Sequence, residues 1–283
     1  VAIISPIGKY QVLSTLGKGA HSIILHIRRQ ADSREYALKV VNLDSPEDQK
    51  FLDQAKHELR VSQMLGHVNL IKVHALELRR NWMFKVKKAE MLIEYVNGKT
   101  MDTVPVGLDR FVPVFGQVVA GLTHMHRRGV FHADLKPNNI MLGKSGGVKI
   151  IDYGLAWIKG EKKERVQGTP EYMAPETVKN KIVTERTDIY NLGATMYRVL
   201  TLKLPPSQMP SEGDSLRIGS KAFSSMLVPV QDLNKAAPKA LADLIHRCLS
   251  YDPEKRPMRM GEILDELRRI GANMGTPVTD GEE

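Results

Sequence analysis

The feature that most constrains this chain is a change of hydrophobic period part-way along it. Tyr10 to Leu16, Ser22 to Arg28 and Glu35 to Val41 are alternating or β-branched, with turns at Gly17 to Gly19 and Gln30 to Arg34. A helix interrupts them. Ser45 suits its N-cap, Pro46 its first turn, and Glu47 and Asp48 its positive dipole end; it runs to about Leu65, where Gly66 stops it. Ala55, Glu58, Ser62 and Leu65 share one of its faces. Strands resume around Leu70 to Leu78 and Lys85 to Tyr95. From there the helical period dominates, in Leu108 to Arg128, Thr187 to Leu200, Lys239 to Ser250 and Met260 to Ile270. The exceptions are a short apolar strand, Val148 to Asp152, and an irregular stretch, Lys203 to Asn234. This pattern predicts an α+β chain of two lobes, 9–96 and 97–270, joined near Glu94 to Gly98. A cleft between two such lobes is a usual place for a ligand. The small, polar tail 271–283 is expected to be disordered.

Composition narrows the functional classes. With 42% apolar and 26% charged residues over 283 positions, the chain can build a core without covalent staples. Cys248 is the only cysteine, which excludes an internal disulfide and a structural zinc site and fits a reducing, cytoplasmic setting. No run approaches the ~18 apolar residues of a spanning helix. The most apolar stretch, Phe111 to Leu122, is interrupted by Pro113, Gly116 and Gln117. The first residues do not read as a signal peptide. The start at Val1 rather than methionine reads as a fragment and leaves an anchor elsewhere open. The net charge of +9 is scattered over short groups, Arg79 with Arg80, Lys85 to Lys88 and Lys159 to Arg165. That favours a solvated surface attracting an anionic cofactor. No nucleic acid and no membrane are expected as partners within this chain.

Three segments carry chemistry. Two glycines in Leu16-Gly17-Lys18-Gly19-Ala20-His21-Ser22-Ile23-Ile24 let backbone N–H groups approach phosphates, although many plain hairpins hold the same pattern. Lys39, inside the apolar strand Ala37-Leu38-Lys39-Val40, needs a paired charge or a route to solvent, and Glu58 is the candidate partner. His132 to Met141 places the carboxylate of Asp134, the ammonium of Lys136 and the amide of Asn139 in one loop. Such a loop can hold a base, a phosphate contact and a metal ligand together. Asp152-Tyr153-Gly154 then offers a second oxygen ligand for a hard cation.

In this order and spacing the segments resemble the eukaryotic-type (Hanks-type) serine/threonine protein kinase catalytic domain, with a bacterial flavour. The resemblance covers residues about 9 to 270 and includes Gly168 to Glu176, Thr187 to Gly193 and Asp252 to Pro257. It implies the bilobal protein kinase fold, an antiparallel β-sheet N-lobe plus a mainly helical C-lobe. The cofactors it implies are ATP and Mg²⁺, or Mn²⁺ in its place. Lys39, held by Glu58, would grip the α- and β-phosphates. Asp134 would orient the acceptor hydroxyl and take its proton, aided by Lys136 and Thr169. Asn139 and Asp152 would hold the metal. Leu16, Gly17, Lys18, Gly19, Ala20, His21, Ser22, Ile24 and Ala37 would cover the nucleotide. Ile93 would back the adenine, which the backbone of Glu94 and Val96 would bond. Glu176 and Arg256 would form a buried ion pair.

Four departures qualify the resemblance. Ser22 replaces the third glycine of the loop, Tyr153 the usual phenylalanine, Ala133 the usual arginine beside Asp134, and Ser62 an aliphatic residue. The Ser62 hydroxyl needs a partner, for which Tyr153 is a candidate. Ala133 removes an arginine that pairs with a loop phosphate in many relatives, and Leu155 to Gly168 holds no serine, threonine or tyrosine. Activity without phosphorylation of that segment is therefore expected, with its order coming from packing of Trp157 or from a regulatory protein or domain. Thr100 and Asn138 stand where basic-directed relatives carry acids, and the loop after Asp152 adds Lys159, Lys162, Lys163 and Arg165 against Glu161 and Glu164, so no strong preference for arginine before the acceptor is expected, and neutral or acidic peptides are favoured. The alternatives are a pseudokinase scaffold, disfavoured because Lys39, Glu58, Asp134, Asn139 and Asp152 are all present, and a small-molecule kinase of the same fold.

Overall fold

The computed structural model describes residues 7–19, 21–161, 167–207 and 219–278. They form a bilobal α+β architecture of two compact units. The first holds the described residues up to Gly66, Leu70–Asn97 and Asp152–Gly154; the second holds His67–Asn69, Gly98–Ile151 and the described residues from Leu155 onward.

In the first unit, β1 (Tyr10–Lys18), β2 (Ser22–Arg29), β3 (Glu35–Asn42), β4 (Val73–Arg80) and β5 (Val86–Glu94) form one sheet, with α1 (Gln49–Met64) between β3 and β4 in sequence. The strand order is β1-β2-β3-β5-β4, and every pairing is antiparallel. Strand alternation gives the sheet two apolar faces. Leu52, Ala55 and Leu59 of α1 pack with Val41, Leu76, Ala89 and Met91 on one. Ile27, Leu38, Val40 and Leu92 gather on the other. Pro46–Asp48 forms a short 3-10 turn before α1, and the Asp48 carboxylate accepts the backbone N–H groups of Ser45 (2.9 Å) and Asp44 (3.0 Å). The charge at this helix entrance therefore satisfies donors that would otherwise be orphaned.

The second unit is mainly helical. Its strands are β6 (Gly98–Thr100), β7 (Val130–Phe131), β8 (Ile140–Gly143), β9 (Val148–Ile150) and β10 (Trp157–Ile158). β6, β8 and β9 form a three-stranded sheet, and β10 pairs with β7. The helices are α2 (Leu108–Arg127), α3 (Pro175–Asn180), α4 (Glu185–Thr201), α5 (Ser220–Met226), α6 (Val230–Leu233), α7 (Lys239–Cys248) and α8 (Met260–Met274). α2 carries Pro113 in its second turn, and bury Phe111, Phe115, Val118 and Leu122 along one stripe. α4 is buried nearly all round. Cys248 lies fully buried at the end of α7, where desolvation pushes its thiol up to about 12. Among the described residues no helix is long and apolar enough to cross a membrane.

Three expectations are corrected. The stretch read as irregular contains α5 and α6, too short to show a helical period. α8 continues to Met274, past the expected end at Ile270, so 271–274 are helical rather than disordered. A Cβ on Gly271 would lie 2.5 Å from the Thr276 carbonyl, so the absence of a side chain there is what lets the chain turn back so closely. A single cut near residue 97 is also too simple. Asp152–Gly154 groups with the first unit because the Tyr153 hydroxyl donates to the Ile71 carbonyl (2.9 Å) and Gly154 packs on Gln54. His67–Asn69 groups with the second because Asn69 donates to the Val148 carbonyl (2.9 Å) and accepts from Ile150 N–H (2.8 Å).

Candidate active site

Lys39 sits mid-strand in β3 and points toward α1, where its Nζ lies 2.8 Å from Glu58 Oε1. Burial works against the Lys39 ammonium, but the carboxylates of Glu58 and Asp152 outweigh it and raise its pKa, so the ammonium persists. Burial also pushes the Glu58 carboxyl up, against the pull of Lys39. A cavity of about 250 Å³ opens beside the pair, lined by His21, Ser22, Val41, Phe51, Gln54 and Ala55. His21 stacks on Phe51 of α1 (4.7 Å between centroids).

β1 continues through Gly17 and Lys18, so the turn narrows to the residues around Gly19, whose N–H donates to the Ser22 carbonyl (2.8 Å). Gly17 has open space where a Cβ would stand, and Leu16 is 48% exposed. Ala20 lies outside the described residues. Ile24 pairs with Lys39 across β2 and β3, and Ala37 pairs with Ile93 across β3 and β5. Glu94 closes β5 and donates its N–H to the Lys72 carbonyl (2.9 Å), with Val96 just beyond. Asp152 takes a left-handed backbone (φ +70°), and its Oδ1 accepts the Gly154 N–H (2.9 Å). Such a conformation is uncommon outside glycine, although aspartate tolerates it better than most.

In the second unit the loop after β7 is held from below. The Asp188 carboxylate of α4 accepts the N–H groups of His132 and Ala133, each at 2.8 Å. This holds Ala133 at φ +64°. His126 Nε2 bonds the same carboxylate at 2.7 Å, and its Nδ1 makes an ion-pair contact with Glu185 (3.1 Å). Burial opposes the charge on His126, but these two carboxylates raise its pKa to about 9. On this support stands a four-residue constellation. Asp134 Oδ1 accepts the Thr169 N–H (2.8 Å), Asp134 Oδ2 lies 3.0 Å from Lys136 Nζ, and Lys136 Nζ donates to the Thr169 hydroxyl (2.5 Å). Asn139 Nδ2 donates to the Asp134 carbonyl (2.9 Å), so its amide oxygen points elsewhere. Gly168 precedes Thr169 at φ +138°, and a Cβ there would lie 3.2 Å from Met173 Cε. The left-handed φ favours glycine, and any larger residue would also have to displace the end of Met173.

Sequence reading paired Lys39 with Glu58, which lie 2.8 Å apart, but put Asp152 in the helical lobe, whereas it groups with the first unit; Asp134, Lys136, Asn139 and Thr169 lie in the second. It missed several supports. Ser62 does not meet Tyr153; its hydroxyl accepts the Val73 N–H (2.8 Å). Asp188, His126 and Glu185 went unremarked as a charge cluster, since each reads alone as an ordinary helix residue. Asp102 also went unseen; it accepts the Asn138 amide (2.7 Å) and sets a carboxylate beside a position read as neutral. This bears on one of the two grounds for expecting neutral or acidic peptides; most of the other, the charged run at 162–166, lies outside the described residues.

Glu176 and Arg256 form the expected ion pair, bidentate at 2.8 and 2.9 Å, with Thr187 donating to the same carboxylate (3.0 Å). Trp157 stacks on Phe131 (5.7 Å between centroids) and packs with Ala133 and Val183, while its indole N–H donates to the Glu161 carbonyl (2.9 Å).

The first unit thus holds a Lys–Glu pair, and the second sets a carboxylate, an ammonium and an amide of one loop beside the Thr169 hydroxyl. Residues 10–266 match the protein kinase domain family, and the chain belongs to it. The chain is 28% identical to a probable serine/threonine-protein kinase of Clostridium acetobutylicum, over 97% of its own length and 41% of the relative's. It is 24% identical to the serine/threonine-protein kinase PrkC of Bacillus subtilis, over 88% of its own length and 38% of the relative's. It is 29% identical to CBL-interacting protein kinase 8 of rice, Oryza sativa, over 92% of its own length and 57% of the relative's. The chain thus spans about two fifths to somewhat over half of these relatives. Family membership supports kinase activity and the binding of ATP in general terms.

Proposed function

We propose that this chain transfers the γ-phosphoryl group of Mg-ATP to serine or threonine hydroxyls of protein substrates, and does so without phosphorylation of its activation segment. The observation that carries the reading is the constellation of Asp134, Lys136 and Thr169. One carboxylate oxygen is pinned by a backbone N–H, and the other faces an ammonium, so the base is held in one orientation for an incoming hydroxyl. Asp134 takes the hydroxyl proton as the new O–P bond forms and the bond to the ADP oxygen breaks. Lys136 offsets charge on the moving group, and the Lys39 ammonium, kept protonated by Glu58, holds the phosphates.

The oxygen donors suit a hard cation. Asn139 spends its amide N–H on the Asp134 carbonyl, which turns its oxygen outward, and Asp152 offers a carboxylate. Each is the kind of oxygen donor that magnesium takes, an ion that uses few protein ligands and completes its shell with water and phosphate oxygens. When bound, the ion offsets phosphate charge. The nucleotide cover is Leu16, Gly17, Lys18, Gly19, Ala20, His21, Ser22, Ile24 and Ala37. Ile93 backs the adenine, which Val96 and the carbonyl of Glu94 bond.

Independence from phosphorylation is supported by what stands in place of a phosphate clamp. Ala133 is buried among Phe131, Val183 and Trp157, so an apolar cluster fastens the start of the segment through the β7–β10 pairing. The test is labelled phosphate transfer from ATP to an arrayed peptide library and a set of small-molecule acceptors, with phosphatase-treated enzyme verified by mass spectrometry. Expected are immediate linear rates on serine or threonine peptides and none for Asp134→Asn. A rate that appears only after phosphate is restored on Thr169 would refute the regulatory half. Near-normal turnover by Asp134→Asn, or preference for a small molecule, would refute the catalytic half.

A further inference from the structure

The turn between β4 and β5 is the most conspicuous surface feature the kinase reaction does not use. Trp82, Met83 and Phe84 are consecutive there and 86%, 59% and 79% exposed. Three large apolar side chains in a row at an exposed turn are costly in water, and singly scattered exposure does not account for them. Phe84 is held at φ +60°, a left-handed backbone that glycine or asparagine would adopt more readily. Among the described residues none of the three joins a ring pair or the two core clusters of the first unit.

Much of the backbone of the same turn is paired within it. Asn81 Oδ1 accepts the N–H groups of Met83 (3.1 Å) and Lys85 (3.0 Å). Asn81 N–H donates to the Lys85 carbonyl (2.9 Å), and Phe84 N–H donates to the Asn81 carbonyl (3.0 Å). The Arg80 guanidinium caps the Phe84 carbonyl (2.8 Å). Behind the apolar tip stands a collar of cations. Arg79 is committed to Glu77 and Glu90. Arg80, Lys85, Lys87 and Lys88 make no ion pair among the described residues, and all but the partly buried Lys88 are exposed.

We propose that this turn is a membrane-contact tip, which sets Trp82, Met83 and Phe84 into the interfacial layer of an anionic bilayer while the surrounding lysines and Arg80 meet the lipid phosphates. Each part has its reason. Tryptophan and phenylalanine partition to the interface; basic residues close behind add attraction to anionic headgroups. Backbone groups already paired within the turn do not have to give up water when the tip enters the lipid. A protein interface would need a contiguous apolar patch with a depleted charge at its core, whereas here three side chains project from a cationic collar. Contact of this kind needs no spanning segment, and it departs from the expectation that the chain meets no membrane.

The test is sedimentation of the intact chain with large unilamellar vesicles of phosphatidylcholine alone and of phosphatidylcholine mixed with phosphatidylglycerol. The W82A/F84A double variant keeps the net charge, so it separates insertion from general attraction by a basic protein. Expected is binding to the mixed vesicles that weakens with salt and falls about tenfold or more in W82A/F84A, equivalent to about 1.4 kcal/mol or more. K85E/K87E/K88E should bind less as well. The chain has two tryptophans, so subtracting the spectrum of Trp82→Phe isolates Trp82 emission, which should shift blue and be quenched by brominated lipid. Unchanged melting temperatures keep the variants interpretable. Equal binding by wild type and W82A/F84A, or no change in Trp82 emission, would overturn the proposal. So would absence of vesicle binding accompanied by tip-dependent self-association or capture of a soluble protein, which would assign the tip to a protein partner. None of these readouts depends on phosphotransfer.

Discussion

Thr169 holds two contacts that a phosphate would destroy. Its N–H orients Asp134, and its hydroxyl accepts from Lys136. A phosphoryl group would bring roughly two negative charges beside Asp134, the proposed base. Thr169→Glu should therefore lose about a hundredfold or more in turnover, the scale of a displaced general base, while Thr169→Ser retains most of it. Initial rates on a peptide acceptor check both. Lys39→Met and Asp134→Asn should each lower kcat by about a hundredfold to ten-thousandfold with melting temperature little changed. What sequence order made legible at this scale was the set of chemical groups: His132 to Asn139 and Asp152 read as a site because few other purposes need that sequence of charges. What stayed hidden was partnership over long separations. Nothing near Ser62 announces Val73, and nothing near Asn138 announces Asp102. Hydroxyls and amides accept many partners, and only the folded backbone selects among them.

The activation segment is fastened by a pair of two-residue strands and an aromatic stack. Trp157→Ala should open it: amide exchange at Val130, Phe131 and Ile158 should quicken, and kcat should fall with unphosphorylated enzyme. Ala133→Arg should have the same effect, since a guanidinium would be set among Phe131, Val183 and Trp157 at a position only 6% exposed. If Ala133→Arg instead raised activity after phosphorylation of Thr169, the segment would be phosphate-ordered after all. At this scale most elements could be read from period and caps, within a residue or two. The short ones could not: β6, β7, β10, α5 and α6 have too few residues for a period to emerge, and tertiary pairing alone defines them. The extension of α8 escaped notice because Gly271 reads as a stop signal, whereas it is small so that the Thr276 backbone can approach.

Across the whole molecule, the second unit depends on two buried charge clusters. Glu176→Ala leaves Arg256 buried and unpaired and should cost about 3–5 kcal/mol, read as a lower denaturant midpoint. The cluster of His126, Asp188 and Glu185 adds a pH dependence. The His126 pKa is raised to about 9 in the folded state, from 6.5. Its contribution is therefore fully present below about pH 6.5 and lost as pH climbs through about 9. Burial opposes the charge on Asp188, yet His126 and the loop N–H groups hold its carboxyl below the usual value, so its contribution fades instead as pH falls through the acid range. Melting temperature followed across alkaline pH should decline in wild type and flatten in His126→Gln. The buried thiol has a different consequence. Cys248 is the only cysteine in the sequence and lies at 0% exposure with its thiol held protonated at neutral pH. Maleimides and methanethiosulfonates will pass it by in the native state. A cysteine placed at Lys159 or Met83 would then be the sole address for a spin label or fluorophore, and the movements of the activation segment and of the β4–β5 turn could be followed in an otherwise unaltered chain.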